Sequence, residues 1–539
     1  MIVRAQIGTL WVRTTLVRTL IAIIVVVGVG IGVRVGMHPS LHDCAGIFVA
    51  VLESRRVRAA EHDPEDHKQS QHEGPHRSAA NTPVRKPQHR KVFGMFEVIA
   101  NRTYRHLFFA QVIALLGTGL ATVALGLLAY DLAGGNAGAV LGTALAIKMI
   151  AYVGIAPVVA AFADKLPRRA FLVTMDLTRA AVALVLPFVT QIWEVYILIF
   201  VLQSASAGFT PTFQATIPDI LPDEREYTRA LSLSRLAYDL ESLVSPMLAA
   251  ALLTVMSFHW LFSGTAIGFI ASALLVLSVR LPRTKAVDRR DGIYAKTTRG
   301  VRIYLKTPRL RGLLAVTLAA AAASAMVIVN TVVLVRDVLQ LSQTDVALAL
   351  AAYGSGSMMA ALLLPRILDK VSDRPVMLGA AAALTALLAA LAAIRLAVPD
   401  DGLWGFLLAG WFLLGVSYSM SVTPTGRLLK RSANPEDRPT LFAAQFALSH
   451  ACWLIAYPLA GWLGAGSGQA AAFAGTAVIA ASGTVLGALV WPRRDPELVP
   501  HGHEDLAQDH PHVREAHHLN AQGHAFVIDD LHPEWPRGP

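Results

Sequence analysis

The chain has 539 residues, of which 54% are hydrophobic and only 16% are charged, and its formal net charge is +10. This composition argues against an ordinary soluble domain, in which about 25% of residues are charged, and favours an integral membrane protein. The basic residues lie in alternate connections between apolar segments, so they indicate membrane topology rather than nucleic-acid binding. With only Cys44 and Cys452, neither a disulfide framework nor a four-cysteine zinc site can form.

Residues 1–94 differ in character from the rest of the chain. The apolar segment between Arg18 and Arg34 is shorter than the roughly 18–20 residues that a membrane-spanning helix needs. The stretch 53–91 is charged, rich in histidine and interrupted by prolines, which predicts disorder. We therefore expect 1–94 to lie outside the folded protein, with translation starting near Met95. The alternative is a regulatory or metal-collecting extension.

The sequence from Tyr104 to Trp491 predicts twelve apolar segments long enough to span a bilayer. They form two groups of six, at 95–281 and 311–493, separated by a basic linker at 282–310. The predicted fold class is therefore an all-α membrane protein with 12 transmembrane helices in two pseudo-symmetric six-helix bundles. The predicted segments are 106–130, 137–162, 168–190, 194–215, 229–255, 259–280, 311–335, 345–366, 375–397, 403–426, 439–463 and 468–491.

Short sequences recur in the two halves at an offset of roughly 210 residues, as expected for two similar bundles related by an axis along the membrane normal. The Thr-Pro-Thr sequence at 210–212 recurs at 423–425. The sequence of proline, two acidic residues and arginine at 222–225 recurs at 435–438. These repeats predict that the fifth and eleventh segments begin in equivalent surroundings.

The loops after even-numbered segments and the central linker carry most of the lysines and arginines of the predicted core. The opposite loops hold few basic residues, among them Arg336 and Arg395. Because basic loops remain on the cytoplasmic side, we predict a multi-pass protein of the bacterial cytoplasmic (inner) membrane with both core termini in the cytoplasm.

The loop at 161–169 reads Ala-Phe-Ala-Asp-Lys-Leu-Pro-Arg-Arg and joins the second and third segments. Together with the twelve segments and the long central linker, it resembles the corresponding loop of the major facilitator superfamily, although the expected leading glycine is missing. The resemblance covers 95–493 and implies a transporter with a cytoplasmic gate in both halves. The gate residues implied are Asp164, Lys165, Arg168, Arg169, Asp369, Lys370 and Arg374.

The sequence contains no phosphate-binding loop of the GxxxxGK[ST] type and no nucleophile elbow. We therefore predict a transporter that is not an enzyme and is driven by a proton or sodium gradient. Ionisable residues inside the segments are the candidates for coupling, because each costs roughly 2.5–3.5 kcal/mol at a helix centre.

The fifth segment begins with a broad polar stripe that is too wide to face lipid. Arg235 and Asp239 share one helical face, and Glu241 lies on the neighbouring one. One interpretation is a buried ion pair between Arg235 and Asp239 that braces a gate. The other is that Asp239 and Glu241 hold a cation or the coupling proton.

His450 in the eleventh segment and Lys148 in the second are further candidates. An imidazole titrates near neutral pH and binds divalent metals, so His450 suits proton relay or metal contact, with a packing role as the alternative. Lys148 suits a charge relay or an internal counter-ion. The family resemblance implies that the second and eleventh helices pack together, bringing these two residues near each other. Polar residues that either line the cavity or bond helices together are Gln111, Gln203, Asn330, Tyr418 and Thr423.

The tail at 494–539 interleaves histidines with carboxylates on what we expect to be a flexible chain. Such a composition can chelate nickel, copper, cobalt or zinc without selecting one. The alternative is a polar, disordered tail of biased composition that binds no metal. The predicted ligands are His501, His503, His510, His512, His517, His518, His524 and His532.

A transporter body with such a tail resembles the nickel-resistance exporters of the NreB type, through the tail histidines, the closing sequence 526–533 and the stretch 423–462. This resemblance implies proton-coupled efflux of Ni²⁺ or Co²⁺. The pattern around 218–222 is also similar to macrolide and siderophore exporters, which keeps a multidrug or organic substrate open. A third possibility is a metal sensor that does not transport.

The expected partners follow from this interpretation. They are membrane lipid, protons and a small cation substrate such as Ni²⁺ or another divalent metal. We expect no nucleic acid, no tightly bound cofactor and a monomeric state.

Overall fold

The computed structural model describes residues 96–133, 137–163, 167–282, 293–493, 495, 498–500 and 523–536. The chain divides into two units, Met1–His89 and Arg90–Pro539, and every described residue belongs to the second. The predictions for 1–94 fall outside the described residues and stay predictions.

Among the described residues, twelve long helices lie close to the twelve predicted segments. In the described part of the chain, eleven helices are long and apolar enough to cross a membrane, and the second contains a shorter apolar segment, Ala146–Ala161. The all-α membrane fold is thereby confirmed. The helices are α1 (Arg102–Ala133), α2 (Ala137–Ala163), α3 (Arg168–Val185), α4 (Ile192–Ile220), α5 (Glu224–Leu253), α6 (His259–Leu277), α7 (Pro308–Val333), α8 (Gln343–Leu368), α9 (Asp373–Ala397), α10 (Leu403–Val422), α11 (Arg438–Ser467) and α12 (Gln469–Val490).

Local sequence signals explain where several helices begin. Ser342 caps α8 in a reciprocal capping box with Asp345, and Asp223 caps α5 by accepting from the backbone N–H of Glu226 at 2.9 Å. Pro308 opens α7, where a missing N–H costs nothing. Gly468 separates α11 from α12 with a φ of 84°, a conformation that side chains other than glycine rarely adopt.

The helices pack in the same pattern in both halves. In the first half, α1 contacts α5 and α6, α2 contacts α4, and α3 contacts α4 and α6. In the second half, α7 contacts α11 and α12, α8 contacts α10, and α9 contacts α10 and α12. The chain therefore forms two pseudo-symmetric six-helix bundles, here called the N bundle and the C bundle.

Two arginines illustrate the symmetry between the bundles. Arg169, at the start of α3, donates to the carbonyl oxygen of Leu277 at the end of α6. Arg374, at the start of α9, donates to the carbonyl oxygens of Trp491 (3.1 Å) and Ala488 (3.3 Å) at the end of α12. Since the C-terminal end of a helix carries unpaired carbonyl groups, both arginines serve as helix caps.

The bundles meet along three helix pairs, α2 with α11, α4 with α11, and α5 with α8. A linker helix, Ile293–Lys306, precedes α7 and lies against α11 and α2. We call the end of the molecule that carries this helix the linker end. The C-terminal ends of α2, α4, α8 and α10 lie at this end too.

The end of the chain folds back onto the C bundle. Strands β1 (Leu498–Pro500) and β2 (Gly523–Ala525) pair antiparallel, and the following residues, 526–535, form a docked segment. Phe526 and Ile528 are buried in the C-bundle core, and the Lys306 ammonium donates to the carbonyl oxygen of Pro533 at 2.8 Å. This part of the tail is thus packed, although the sequence suggested a flexible chain throughout.

Candidate transport site and gate

The contact between α2 and α11 is a cluster of one lysine and three rings. The Lys148 ammonium lies 5.6 Å from the ring centroid of Tyr152, one turn further along α2. The Tyr152 ring meets the imidazole of His450 edge-on at 4.6 Å and the ring of Phe446 at 4.8 Å. The predicted approach of Lys148 to His450 is confirmed, with Tyr152 between them.

Hydrogen bonding fixes the orientation of His450. Its Nδ1 lies 2.7 Å from the carbonyl oxygen of Phe446 on the same helix. Because a carbonyl oxygen only accepts, Nδ1 carries the proton. In the neutral ring Nε2 is then an acceptor, so it is the atom available to a proton or a metal ion. The roles of His450 and Lys148 in transport stay predictions.

Glu241 on α5 is the carboxylate that interacts electrostatically with Lys148 across the interior of the N bundle. Gly119 on α1 leaves room for it, since a Cβ built at that glycine would lie 2.7 Å from Glu241 Oε1 and 2.2 Å from Ser245. The close approach of α1 and α5 therefore holds the Glu241 carboxyl group against α1.

Arg235 and Asp239 form the predicted ion pair on α5. The Asp239 side chain is only 4% exposed. The Arg235 Nε–H is shared between Asp239 Oδ2 (3.2 Å) and the hydroxyl oxygen of Ser357 on α8 (3.1 Å). The guanidinium also lies 4.9 Å from the ring centroid of Tyr418 on α10. An arginine of the N bundle thus makes one polar and one aromatic contact with the C bundle.

A second buried ion pair escaped the sequence analysis. On α3, Arg179 pairs with Asp176, which is fully buried and also accepts from the Ser272 hydroxyl on α6 at 2.8 Å. The Arg179 guanidinium lies between the rings of Phe209 and Phe269, 4.2 and 4.4 Å from their centroids. The signal was present in the sequence, as two opposite charges three residues apart inside an apolar segment.

Several of the predicted polar residues bond helices together. Gln111 accepts from the Ser234 hydroxyl at 3.1 Å, and Gln203 accepts from the Tyr152 hydroxyl at 2.9 Å. Asn330 donates to the carbonyl oxygen of Ala460 at 3.2 Å. These three side chains join α1 to α5, α2 to α4 and α7 to α11, which favours the helix-bonding alternative for each.

The first gate cluster lies where α3, α4 and α11 meet at the linker end. Asp219, at the end of α4, accepts from Arg168 at 2.5 Å and from Arg438 at 2.6 Å. Arg438 begins α11, so this carboxylate joins the two bundles. The predicted gate residues Asp164 and Lys165 lie outside the described residues.

The second gate cluster reverses the charges of the first. Arg427, in a short helix (Thr425–Arg431) after α10, pairs with Glu224 of the N bundle at 2.5 Å and with Asp373 of the C bundle at 2.9 Å. Asp369 makes a further exposed contact with Arg225 at 3.5 Å. Together the two clusters close the linker end between the bundles. Arg168 and Asp369 were predicted as gate residues from the sequence. Asp219, Arg427 and Arg438 were not, because their pairing depends on the tertiary fold.

The tail histidines lie largely outside the described residues. Those between 501 and 518 are not described, and for His524 only the backbone in β2 is. His532 is buried, with its Nδ1 3.0 Å from Asp529 and its ring against Phe526. Within the described ranges, no group of three His, Cys, Asp or Glu side chains is placed to hold a metal ion. The predicted metal ligands therefore stay predictions.

Two helical bundles with polar side chains between them, closed at one end by ion pairs, define a membrane transporter. The sequence model of the family described as the Major Facilitator Superfamily matches residues 107–342 and 313–521 of this chain. The chain therefore belongs to the major facilitator superfamily, a family of transporters rather than enzymes.

Among curated proteins, the chain is similar to Macrolide efflux protein A of Enterococcus faecalis, with 26% identity over 153 residues, covering 26% of this chain and 47% of that protein. It is also similar to an uncharacterized MFS-type transporter of Bacillus subtilis, with 26% identity over 222 residues, covering 39% of this chain and 51% of the relative. The chain thus spans about half the length of these two relatives.

Two solved structures share the fold. The human organic anion transporter TETRAN superposes with a TM-score of 0.59 at 15% identity, over 72% of this chain and 99% of that one. A bacterial homologue of the iron transporter ferroportin, in an outward-facing state, gives a TM-score of 0.60 at 13% identity, over 72% and 98%. At these identities the likeness supports the fold alone.

Proposed function

We propose that this transporter exports a small divalent cation, Ni²⁺ or Co²⁺, across the cytoplasmic membrane in exchange for protons. One observation carries the proposal. The strands β1 and β2 pair Leu498 with Ala525 and Pro500 with Gly523, so both ends of the histidine-rich stretch 501–522 are held together. The chain beyond β2 is anchored to the linker helix and to the loop before α11. Cation-binding side chains in this stretch would be tethered at the gate.

The proposed orientation places the linker end in the cytoplasm. Arg427, Lys430 and Arg438 lie at this end, as do the arginines of the linker helix. Basic residues are retained on the cytoplasmic side of the membrane. With this orientation the histidine-rich stretch would collect cytoplasmic cations near the inner mouth, and the gate clusters would close that mouth while the opposite side releases them.

The proposed coupling groups are Glu241, Lys148 and His450. A carboxyl group, an ammonium and an imidazole near one another inside the membrane can exchange protons with a passing cation, because the free energy of each charged form depends on the others. In this proposal, the arrival of a cation near Glu241 and His450 Nε2 expels a proton, and the return of a proton releases the cation.

A multidrug or macrolide exporter is the second candidate, and a specific feature favours it. The interface between the bundles presents Tyr152, Tyr353, Tyr418 and Phe446, aromatic side chains that suit an organic substrate. The similarity to macrolide efflux proteins points the same way. Such an exporter would not respond to nickel.

Deleting residues 501–522 while keeping both strands is expected to lower nickel tolerance several-fold in cells that depend on the transporter. Joining Pro500 to Gly523 through a short glycine-serine linker removes the six histidines but preserves the docked segment. The measurement is the nickel concentration that halves growth, with erythromycin tested in parallel.

The matched control replaces the six histidines by glutamine and keeps the chain length. Equal losses of nickel tolerance in the deletion and in the glutamine variant support metal collection by the imidazoles. Unchanged nickel tolerance in both, with altered erythromycin tolerance on removal of the whole protein, would favour the organic substrate.

A further inference from the structure

Arg235 makes an unusual set of contacts for a charged residue inside a membrane protein. It lies about 16 Å along α5 from the linker end, at 1.5 Å per residue, and is therefore well separated from the gate clusters. Its single Nε–H is divided between Asp239 on its own helix and Ser357 on the opposite bundle. The ion pair on α5 is consequently joined to a contact between bundles.

The C bundle provides a shaped surface for this guanidinium. Ser357 is fully buried, and the ring centroid of Tyr418 lies 5.9 Å from that of Tyr353. Helices α8 and α10 approach closely here, and Gly356 permits this approach. A Cβ built on Gly356 would lie 2.0 Å from the carbonyl oxygen of Phe412. Close packing of α8 against α10 thus places a hydroxyl and an aromatic face where Arg235 reaches them.

Asp239 determines where the guanidinium points. A buried carboxylate needs a cationic partner, and here that partner is supplied by the chain itself. The contacts of Arg235 with Ser357 and Tyr418 join the two bundles, whereas its contact with Asp239 lies within one helix. Any cation that neutralised Asp239 would remove the main reason for Arg235 to stay in this position.

We infer that Arg235 occupies a cation site at Asp239 and fastens the two bundles together as long as it stays there. A proton or a metal ion that reaches the Asp239 carboxylate replaces the guanidinium and frees α5 from α8. Asp239 and Arg235 are positioning residues that link cation arrival to bundle separation. This inference deepens the proposed proton coupling, and its test measures separation of the bundles rather than transport, so the two can fail independently.

Other ionisable groups lie near the pair of Arg235 and Asp239, and their titration could also contribute to a pH effect on the distance between the bundles. Tyr353 and Tyr418 face it from α8 and α10, and Tyr238 and Glu241 lie on α5 itself. Lys148 on α2 interacts electrostatically with Glu241. A titration that arises at Glu241 would persist in an Asp239→Asn variant, which distinguishes the two carboxyl groups.

The test measures the distance between spin labels at the linker end. Cysteines replace the exposed residues Glu226 on α5 and Val371 between α8 and α9, in a variant that lacks Cys44 and Cys452. Ser357→Ala and Tyr418→Leu are expected to raise the ratio of separated to closed bundles roughly fivefold without added cation, since each removes one contact to the guanidinium. The matched control is Ser355→Ala, which removes an exposed hydroxyl that bonds only within α8.

Two conditions of the spin-label experiment identify the cation. Mildly acidic pH tests the proton, and added NiCl₂ at neutral pH tests the metal ion. At least one condition is expected to separate the bundles in the parent protein and to have no effect in Asp239→Asn. Unchanged distances in both Ser357→Ala and Tyr418→Leu, or a full response of Asp239→Asn to both cations, would overturn the inference.

Discussion

Replacing Asp176 by alanine is expected to destabilise the N bundle by about 3–5 kcal/mol, the typical result of removing one partner of a buried ion pair. Arg179 would keep its charge, because a guanidinium does not deprotonate in proteins. It would remain between Phe209 and Phe269 without the carboxylate that now balances it. Cation–π contacts contribute only about 0.5–2 kcal/mol and cannot replace that partner.

Thermal unfolding of the purified protein in detergent provides the measurement. The double variant Asp176→Ala, Arg179→Leu is the control, since removing both charges restores an apolar interior and should recover most of the loss. Ser272→Ala removes one hydrogen bond and should lower stability by about 1 kcal/mol. A single Asp176→Ala variant as stable as the double variant would contradict the assigned pairing.

Replacing Asp219 by asparagine is expected to reduce transport at least tenfold by opening the linker end. The carboxylate accepts from two guanidinium groups, Arg168 and Arg438, whose side chains are 6% and 15% exposed. An amide oxygen can accept from them but cannot neutralise them, so the contact between α4 and α11 should weaken by about 2–3 kcal/mol. The closed state would then lose most of its population.

Transport by the Asp219→Asn variant, measured in proteoliposomes at equal protein content, tests this expectation. Glu97→Gln is the matched control, because the exposed pair between Glu97 and Arg229 at 3.4 Å contributes little. Equal transport rates for Asp219→Asn and the parent protein would show that the first gate cluster does not hold the bundles closed.

Much of the architecture could be predicted from the sequence, because the physics of each helix is local. The apolar segments predicted twelve helices. The duplicated sequences at 210–212 and 423–425 lie at corresponding places, eight and six residues before the ends of the spans Ile192–Ile220 and Leu403–Arg431. The pairing of Arg235 with Asp239 followed from a spacing of one helical turn. The family resemblance supplied the approach of α2 to α11.

The features that could not be predicted from the sequence depend on contacts between residues far apart in the chain. Nothing in the spacing of Ser357 or Tyr418 links them to Arg235, and the pairing of Asp219 with Arg438 exists only when α4 and α11 meet. The docked segment was also missed. Its signal was Phe526 and Trp535 within a polar tail, since such apolar side chains gain free energy when they find a buried site.

Nickel flux into inverted membrane vesicles tests the central claim most directly. In these vesicles the cytoplasmic face is outside, so an exporter should carry radioactive nickel inward when the lumen is acidified. The account predicts uptake above that of vesicles lacking the protein, lost when a protonophore collapses the gradient and strongly reduced in Glu241→Gln. Nickel uptake equal to that of vesicles without the protein, with or without a proton gradient, would contradict it.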